Sequence, residues 1–219
     1  VGSGMTELSS SERIRVESVR TGPEEVWSFV LRAGEALWIP EERDSGGQWL
    51  DWLTGIGPPP AGEVFWKGVE WRRRGPDEAA AERGRIGCVF AQGGLVANLD
   101  MDENVWLPAR MHRREKAEEE IGEWARFFGC WPLPPSRAPA VPERLRRRIL
   151  WTRAFAGRPE AMVLERPLPD AAPEDRERFL EGVRRIRERG CAVVWLDRQM
   201  TEDVRAALEP LAKAEPRTA

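Results

Sequence analysis

The sequence predicts an α/β fold built on a mainly parallel sheet, and two observations carry that prediction. Three short runs, RIGCVFA (85–91), AMVLERP (161–167) and CAVVWL (191–196), are apolar almost throughout, as strands covered on both faces must be. Between and after them lie stretches whose apolar residues recur every three or four positions, which is the spacing of helices packed on a sheet. A chain of 219 residues is long enough to bury one sizeable core but not two independent ones.

Taken in order, RIRVESVR (13–20) alternates apolar and polar residues and reads as a half-buried strand. VWSFVLRAGEALWI (26–39) gives two short strands broken at Ala33-Gly34, the second ending at Pro40. After the turn-like EERDSGG (41–47), the spacing in QWLDWLTGI (48–56) predicts a short helix. Pro58, Pro59, Pro60 and Gly62 interrupt the chain, and EVFWKGVEW (63–71) resumes as a hairpin turning near Lys67-Gly68. The first buried strand runs into QGGLVANLDMDENVWLP (92–108). A helix is predicted from Arg113 to Phe128, with Gly129 as its stop. The proline-rich WPLPPSRAPAVP (131–142) must be a loop, and ERLRRRILWTRAFAG (143–157) a second helix. The remaining strands at 161–167 and 191–196 flank a helix over 173–190, and TEDVRAALEPLAKA (201–214) closes the chain as another.

The 34 basic and 37 acidic residues leave a net charge of -3, which gives no electrostatic footing for nucleic acid or an anionic membrane surface. No run reaches the roughly 20 apolar residues of a membrane span. Cys88, Cys130 and Cys191 stand in no metal-ligand spacing and read as reduced, structural thiols of a cytosolic protein. The single histidine, His112, reads as a solvated surface residue. Trp52, Trp66, Trp71 and Trp106, among 11 tryptophans, suit an interface or the core equally well. Val1–Gly4 before Met5 read as a remnant of the expression vector, and 5–219 as one domain.

Several of these segments match, in order and spacing, the ATP-binding cassette ATPases of ABC transporters. LRAGEALWI resembles the strand entering that family's phosphate loop, and LTGIGPPPAGEVFWKG the stretch after it. RIGCVFAQGGLVANLDMDENVWLP resembles the glutamine-loop region, above all in the cassettes of MCE-type lipid transporters. RRRILWTRAFAGRPEAMVLERP resembles the helix running into the Walker B strand, and GCAVVWLDRQM the strand ending in the switch histidine. The resemblance implies a P-loop NTPase-like, mainly parallel sheet flanked by helices, a small N-terminal antiparallel patch, and a helical subdomain over about 105–145.

Cassette chemistry needs amides and a lysine around the phosphates, a hydroxyl and a carboxylate for Mg²⁺, and a group that orients water. Counted onto this chain, the lysine falls on Gly46 and the hydroxyl position on Gly47 and Gln48, in a loop of Glu41, Glu42, Arg43, Asp44 and Ser45. Carboxylates there repel phosphate but suit the positive end of the following helix. The family's glutamine aligns with Ala91, one place before Gln92, and its signature motif falls on Val141–Arg144. The Walker B carboxylates map onto Glu165 and Arg166, and the switch histidine onto Arg198. An always-charged guanidinium cannot serve as a base. Arg166 or Arg198 is expected to pair with Glu41, Glu42 or Asp44 and close the old site.

The resemblance therefore implies a cassette without catalytic residues, metal or cofactor, retained for docking or regulation in a membrane transport system whose cargo is lipid. The docking segment is the groove for the membrane subunit's coupling helix, with Leu95, Asn98, Leu99, Glu103, Asn104 and Trp106; alternatively, Leu95, Leu99, Val105 and Leu107 pack the subdomain. The expected partner is a membrane permease subunit or a competent ABC ATPase, which places the chain in the cytoplasm and at the membrane only through protein contacts. An ATP-driven homodimer is not expected. Two other readings stay open: a divergent ATPase using ATP and Mg²⁺ through Glu165, and a soluble ligand sensor.

Overall fold

A computed structural model describes residues 11–41 and 47–214 together with the backbone of 217–218. Four parallel strands form its centre: β3 (Ala36–Pro40), β8 (Ala192–Asp197), β7 (Ala161–Glu165) and β6 (Ile86–Val89), in that spatial order. A second, antiparallel sheet is assembled from β1 (Glu12–Arg20), β2 (Glu25–Arg32), β4 (Glu63–Trp66), β5 (Val69–Glu70) and β9 (Arg217–Thr218), ordered β5-β4-β1-β2-β9.

The parallel strands alternate their side chains between two cores. Met162 and Leu164 of β7 and Val193 and Trp195 of β8 point to one face, packing with Phe128, Trp151, Phe155 and Phe179 from the helices. Ala161, Val163, Val194, Leu196, Leu37 and Ile39 point to the other face, against the antiparallel sheet and α1 (Gln48–Thr54). The pairing Met162↔Val193 and Leu164↔Trp195 keeps each set on its own side. A slip of one residue would exchange the faces, so burial on both sides fixes the register.

Helices α3 (Met101–Met111), α4 (Ala117–Phe128), α5 (Glu143–Phe155) and α6 (Pro173–Glu188) supply the first core, where most aromatic pairs meet edge-on or tilted and Trp124–Phe128 and Phe128–Phe179 stack. Gly87 lets α5 come this close to β6, because a Cβ there would lie 2.4 Å from the Ala154 carbonyl. In the second core Trp49 of α1 meets Trp27 at 5.7 Å and Trp52 at 5.4 Å. Trp66 stacks on Trp71 at 6.3 Å, and both indole N–H groups are used: Trp66 Nε1 donates to Glu82 and Trp71 Nε1 to the Leu53 carbonyl. Of the tryptophans that suited an interface, Trp52, Trp66 and Trp71 are thus buried core residues, and Trp106 is half-buried.

At the amino end of β7, Glu160 draws three basic residues together. Lys67 of the β4–β5 turn and Arg85 before β6 lie within 2.9 and 2.6 Å, and Arg13 of β1 within 3.6 Å. This carboxylate couples the two sheets at their common edge. Its burial favours protonation, but hydrogen bonds from Lys67 and Arg85 outweigh that and hold its pKa low.

The helix expected from Arg113 begins instead at Ala117, because Arg113 adopts a positive φ of 49°. Sequence reading missed two helices: α3, and α2 (Pro76–Arg83), which has proline in its first turn and Arg83 in its last. The closing helix, α7 (Glu202–Leu208), is shorter than expected, since Glu209 is extended before Pro210. All three cysteines are free thiols, and burial pushes Cys88 up to about 12.

Leu164 is fully buried between α5 and the sheet, so Leu164→Ala should cost about 2–5 kcal/mol in denaturant unfolding. Met111→Ala, at a residue 70 % exposed, should change stability by no more than about 0.5 kcal/mol.

Candidate functional site

The four parallel strands deliver the predicted site residues to one edge. Glu41 follows β3, Phe90 and Ala91 follow β6, Arg166 follows β7 and Arg198 follows β8. In open α/β sheets this carboxyl edge is where ligands bind. Here it is closely stitched: Glu41 N–H donates to the Asp197 carbonyl (3.1 Å), Arg166 N–H to the Leu196 carbonyl (2.8 Å), and Ala91 N–H to Glu165 Oε2 (3.0 Å). A Cβ on Gly47 would stand 3.7 Å from the other Glu165 oxygen, so the start of α1 comes up to the same carboxylate. Gly47 caps α1 in the left-handed conformation, which favours glycine at this position, and Gln48 is exposed. Glu41 is buried, whereas Glu42, Arg43, Asp44, Ser45 and Gly46 lie outside the described residues.

The proposed closing ion pair is not present among the described residues. Arg198 is exposed, its backbone N–H bonded to the Asp197 carboxylate (2.8 Å). Arg166 points elsewhere: it lines a cavity of about 330 Å³ whose wall also includes Arg146, Arg147, Leu150 and Trp151 of α5. Its Nε is buried without a hydrogen-bond acceptor, and its backbone is left-handed, φ 39°. Gln92 is exposed and contributes to the rim of this cavity. Arg146 and Arg147 were not singled out from the sequence, although three successive arginines at the start of a helix were there to be read.

The segment aligned with the signature motif is tied down by charge. Val141 is buried, Pro142 caps α5, and Arg144 reaches Glu174 (3.1 Å) and the buried Asp175. Arg148 Nε donates to the other Asp175 oxygen at 2.8 Å. Burial pushes the Asp175 carboxyl up, but the two arginines outweigh it and hold its pKa below the ordinary value.

No protein-family model matches the chain. It is 29 % identical over 191 residues to the methionine import ATP-binding protein MetN of Mesorhizobium japonicum, covering 84 % of this chain and 52 % of that protein. It is 25 % identical over 205 residues to the ribose import ATP-binding protein RbsA 1 of Streptomyces avermitilis, covering 89 % of this chain and 39 % of that protein. The chain thus spans about half or less of the length of these relatives. A dimeric bacterial ABC transporter cassette superposes with a TM-score of 0.74 at 19 % identity, covering 92 % of this chain and 97 % of that one. The chain has the ATP-binding cassette fold. Its relatives are named as ATP-binding proteins of importers, and its structural neighbours as ABC cassettes. The expectation that no cofactor is involved is corrected by the same comparison, because the matching relatives are named as ATP-binding proteins.

Within the cassette, the predicted docking segment divides by exposure. Asn98 is exposed at its crown, while Leu95, Leu99 and Trp106 are half-buried. Asn104 is only 1 % exposed and cannot meet a partner directly. Its amide accepts the Val96 N–H (2.8 Å) and donates to the carbonyls of Val96, Leu99 and Asp100, so it fixes the loop's shape. Glu103 is likewise spent internally, accepting the Asp100 N–H (2.9 Å) at the start of α3. Of the packing residues in the alternative reading, Val105 is buried and Leu107 half-buried.

His112 is not a solvated surface residue. It is half-buried and lines a cavity of about 520 Å³ at the opposite edge of the sheet. Its ring lies over Gly84, where a Cβ would come within 2.6 Å, and desolvation, helped by Arg114, lowers its pKa.

Replacing Asp175 with Asn should cost roughly 1–3 kcal/mol, since it removes a buried acceptor of charged donors. A carboxyl whose folded pKa lies below its unfolded value stabilises the fold at neutral pH and loses that contribution as pH falls below about 4. Unfolding curves of the wild type and D175N should therefore differ at pH 7 and converge as the pH is lowered through that range.

Proposed function

We propose that the chain is an ABC-transporter cassette that has lost hydrolysis and serves as a docking or regulatory component of a membrane transport system. The observation that carries this is the end of β7. Where the fold's chemistry calls for paired carboxylates, Glu165 is held by the Ala91 amide and the next residue is Arg166, whose guanidinium cannot take a proton from water. The loop before α1 contains no lysine, so the cation that grips transferred phosphate is also missing from the sequence. These residues do not fit magnesium-dependent hydrolysis, and no hydrolytic step is derived through them. ATP itself remains the nucleotide that the relatives' names bring to this chain.

Docking is supported by the contrast with the loop after β6. That loop keeps an internally bonded shape around Asn104 and leaves Asn98 exposed, an arrangement suited to receiving a helix of a permease subunit. Among the described residues no helix is long and apolar enough to cross a membrane, so on this reading the chain reaches the bilayer through that partner, on its cytoplasmic side. Lipid as the cargo rests on the glutamine-loop resemblance alone.

A photocrosslinking amino acid placed at Asn98, with the chain expressed in its source organism, should yield an adduct with an integral membrane protein. The same group at exposed Met111, at the far end of α3, should not. Adducts confined to soluble proteins, or equal yields from the two positions, would reject permease docking.

A further inference from the structure

We infer that the cavity walled by Arg146, Arg147 and Arg166 is a binding site for a phosphate-bearing anion. The cavity is about 330 Å³ and lies between the end of β7, the loop after β6 and α5. Three arginines and one acid, Glu143, are its charged lining residues. The excess of two positive charges matches a phosphate near neutral pH.

Two of the arginines are anchored without being consumed. Arg147 reaches Glu143 through one nitrogen (3.1 Å), and Arg146 donates through one nitrogen to the Ala138 carbonyl (3.2 Å). A guanidinium has five N–H donors, so both keep donors for a ligand. Arg166 completes the cluster from the end of β7: its Nε is buried, and its terminal guanidinium nitrogens are the donors left for a ligand. The floor contributed by Val89, Phe90, Trp151 and Pro167 is apolar, which strengthens charge-assisted hydrogen bonds made over it. A cluster of guanidiniums suits the tetrahedral oxygens of phosphate better than the two oxygens of a carboxylate.

This inference does not depend on whether hydrolysis is lost, since turnover tests that reading and anion affinity tests this one. The experiment is calorimetric titration of the full chain with pyrophosphate, inorganic phosphate and ATP, with acetate as a control. Pyrophosphate should bind saturably, and the R146Q/R166Q double variant, shown folded by circular dichroism, should bind it at least about tenfold more weakly. Salt at about 0.5 M should weaken binding in the wild type as well. Should the double variant not fold, the wild type answers alone: pyrophosphate should protect Arg146 and Arg166 from phenylglyoxal, as read by peptide mass. Competition between ATP and pyrophosphate would assign the phosphate to a nucleotide, and its absence would assign it to a free oxyanion; either result upholds the arginine site. Binding unchanged in the double variant, no protection of the arginines, or equal competition by acetate would overturn it.

Discussion

The structure depends on a four-stranded parallel sheet that must be dry on both faces. Every residue of β7 and β8 up to the last is buried, so the strands cannot move sideways or slip without exposing one core to the other's neighbours. This constraint recruits everything else. Helices α3–α7 cover one face, with aromatic rings from α4, α5 and α6, while α1 and the antiparallel sheet cover the other with tryptophans. Glu160, with its basic partners from three segments, fastens the two sheets at the edge where the strands begin.

At the opposite edge the same rigidity has a chemical consequence. Because the strands end in register, the residues that follow them are delivered to one line, whatever their side chains are. Glu165 is satisfied by an amide, Arg198 lies in solvent, and Arg166 turns away from the start of α1 toward α5.

What the sequence made legible follows from how locally each feature is determined. AMVLERP and CAVVWL were readable as buried strands because burial on both faces leaves a continuous apolar run. The short helix α1 was readable from Trp49, Trp52 and Leu53 at helical spacing. Helix α3 was missed because glycines before it and Pro108 within it masked the pattern, although Glu103, placed to cap the Asp100 amide, was a usable start signal. The edge residues after each strand were found in advance, but their partners were not. That Arg166 would share a cavity with Arg146 depends on a left-handed residue, and no periodicity encodes that. Asn104 looked like a contact residue, and only its burial shows that all its hydrogen bonds point inward.

The central claim is that this cassette scaffold persists without its hydrolytic chemistry. It is tested most directly by the rate at which phosphate is released from Mg-ATP by the purified chain held in excess over nucleotide. The account predicts release no faster than in the absence of protein, and no change on Glu165→Gln. Magnesium-dependent release well above that background, abolished by Glu165→Gln, would contradict it.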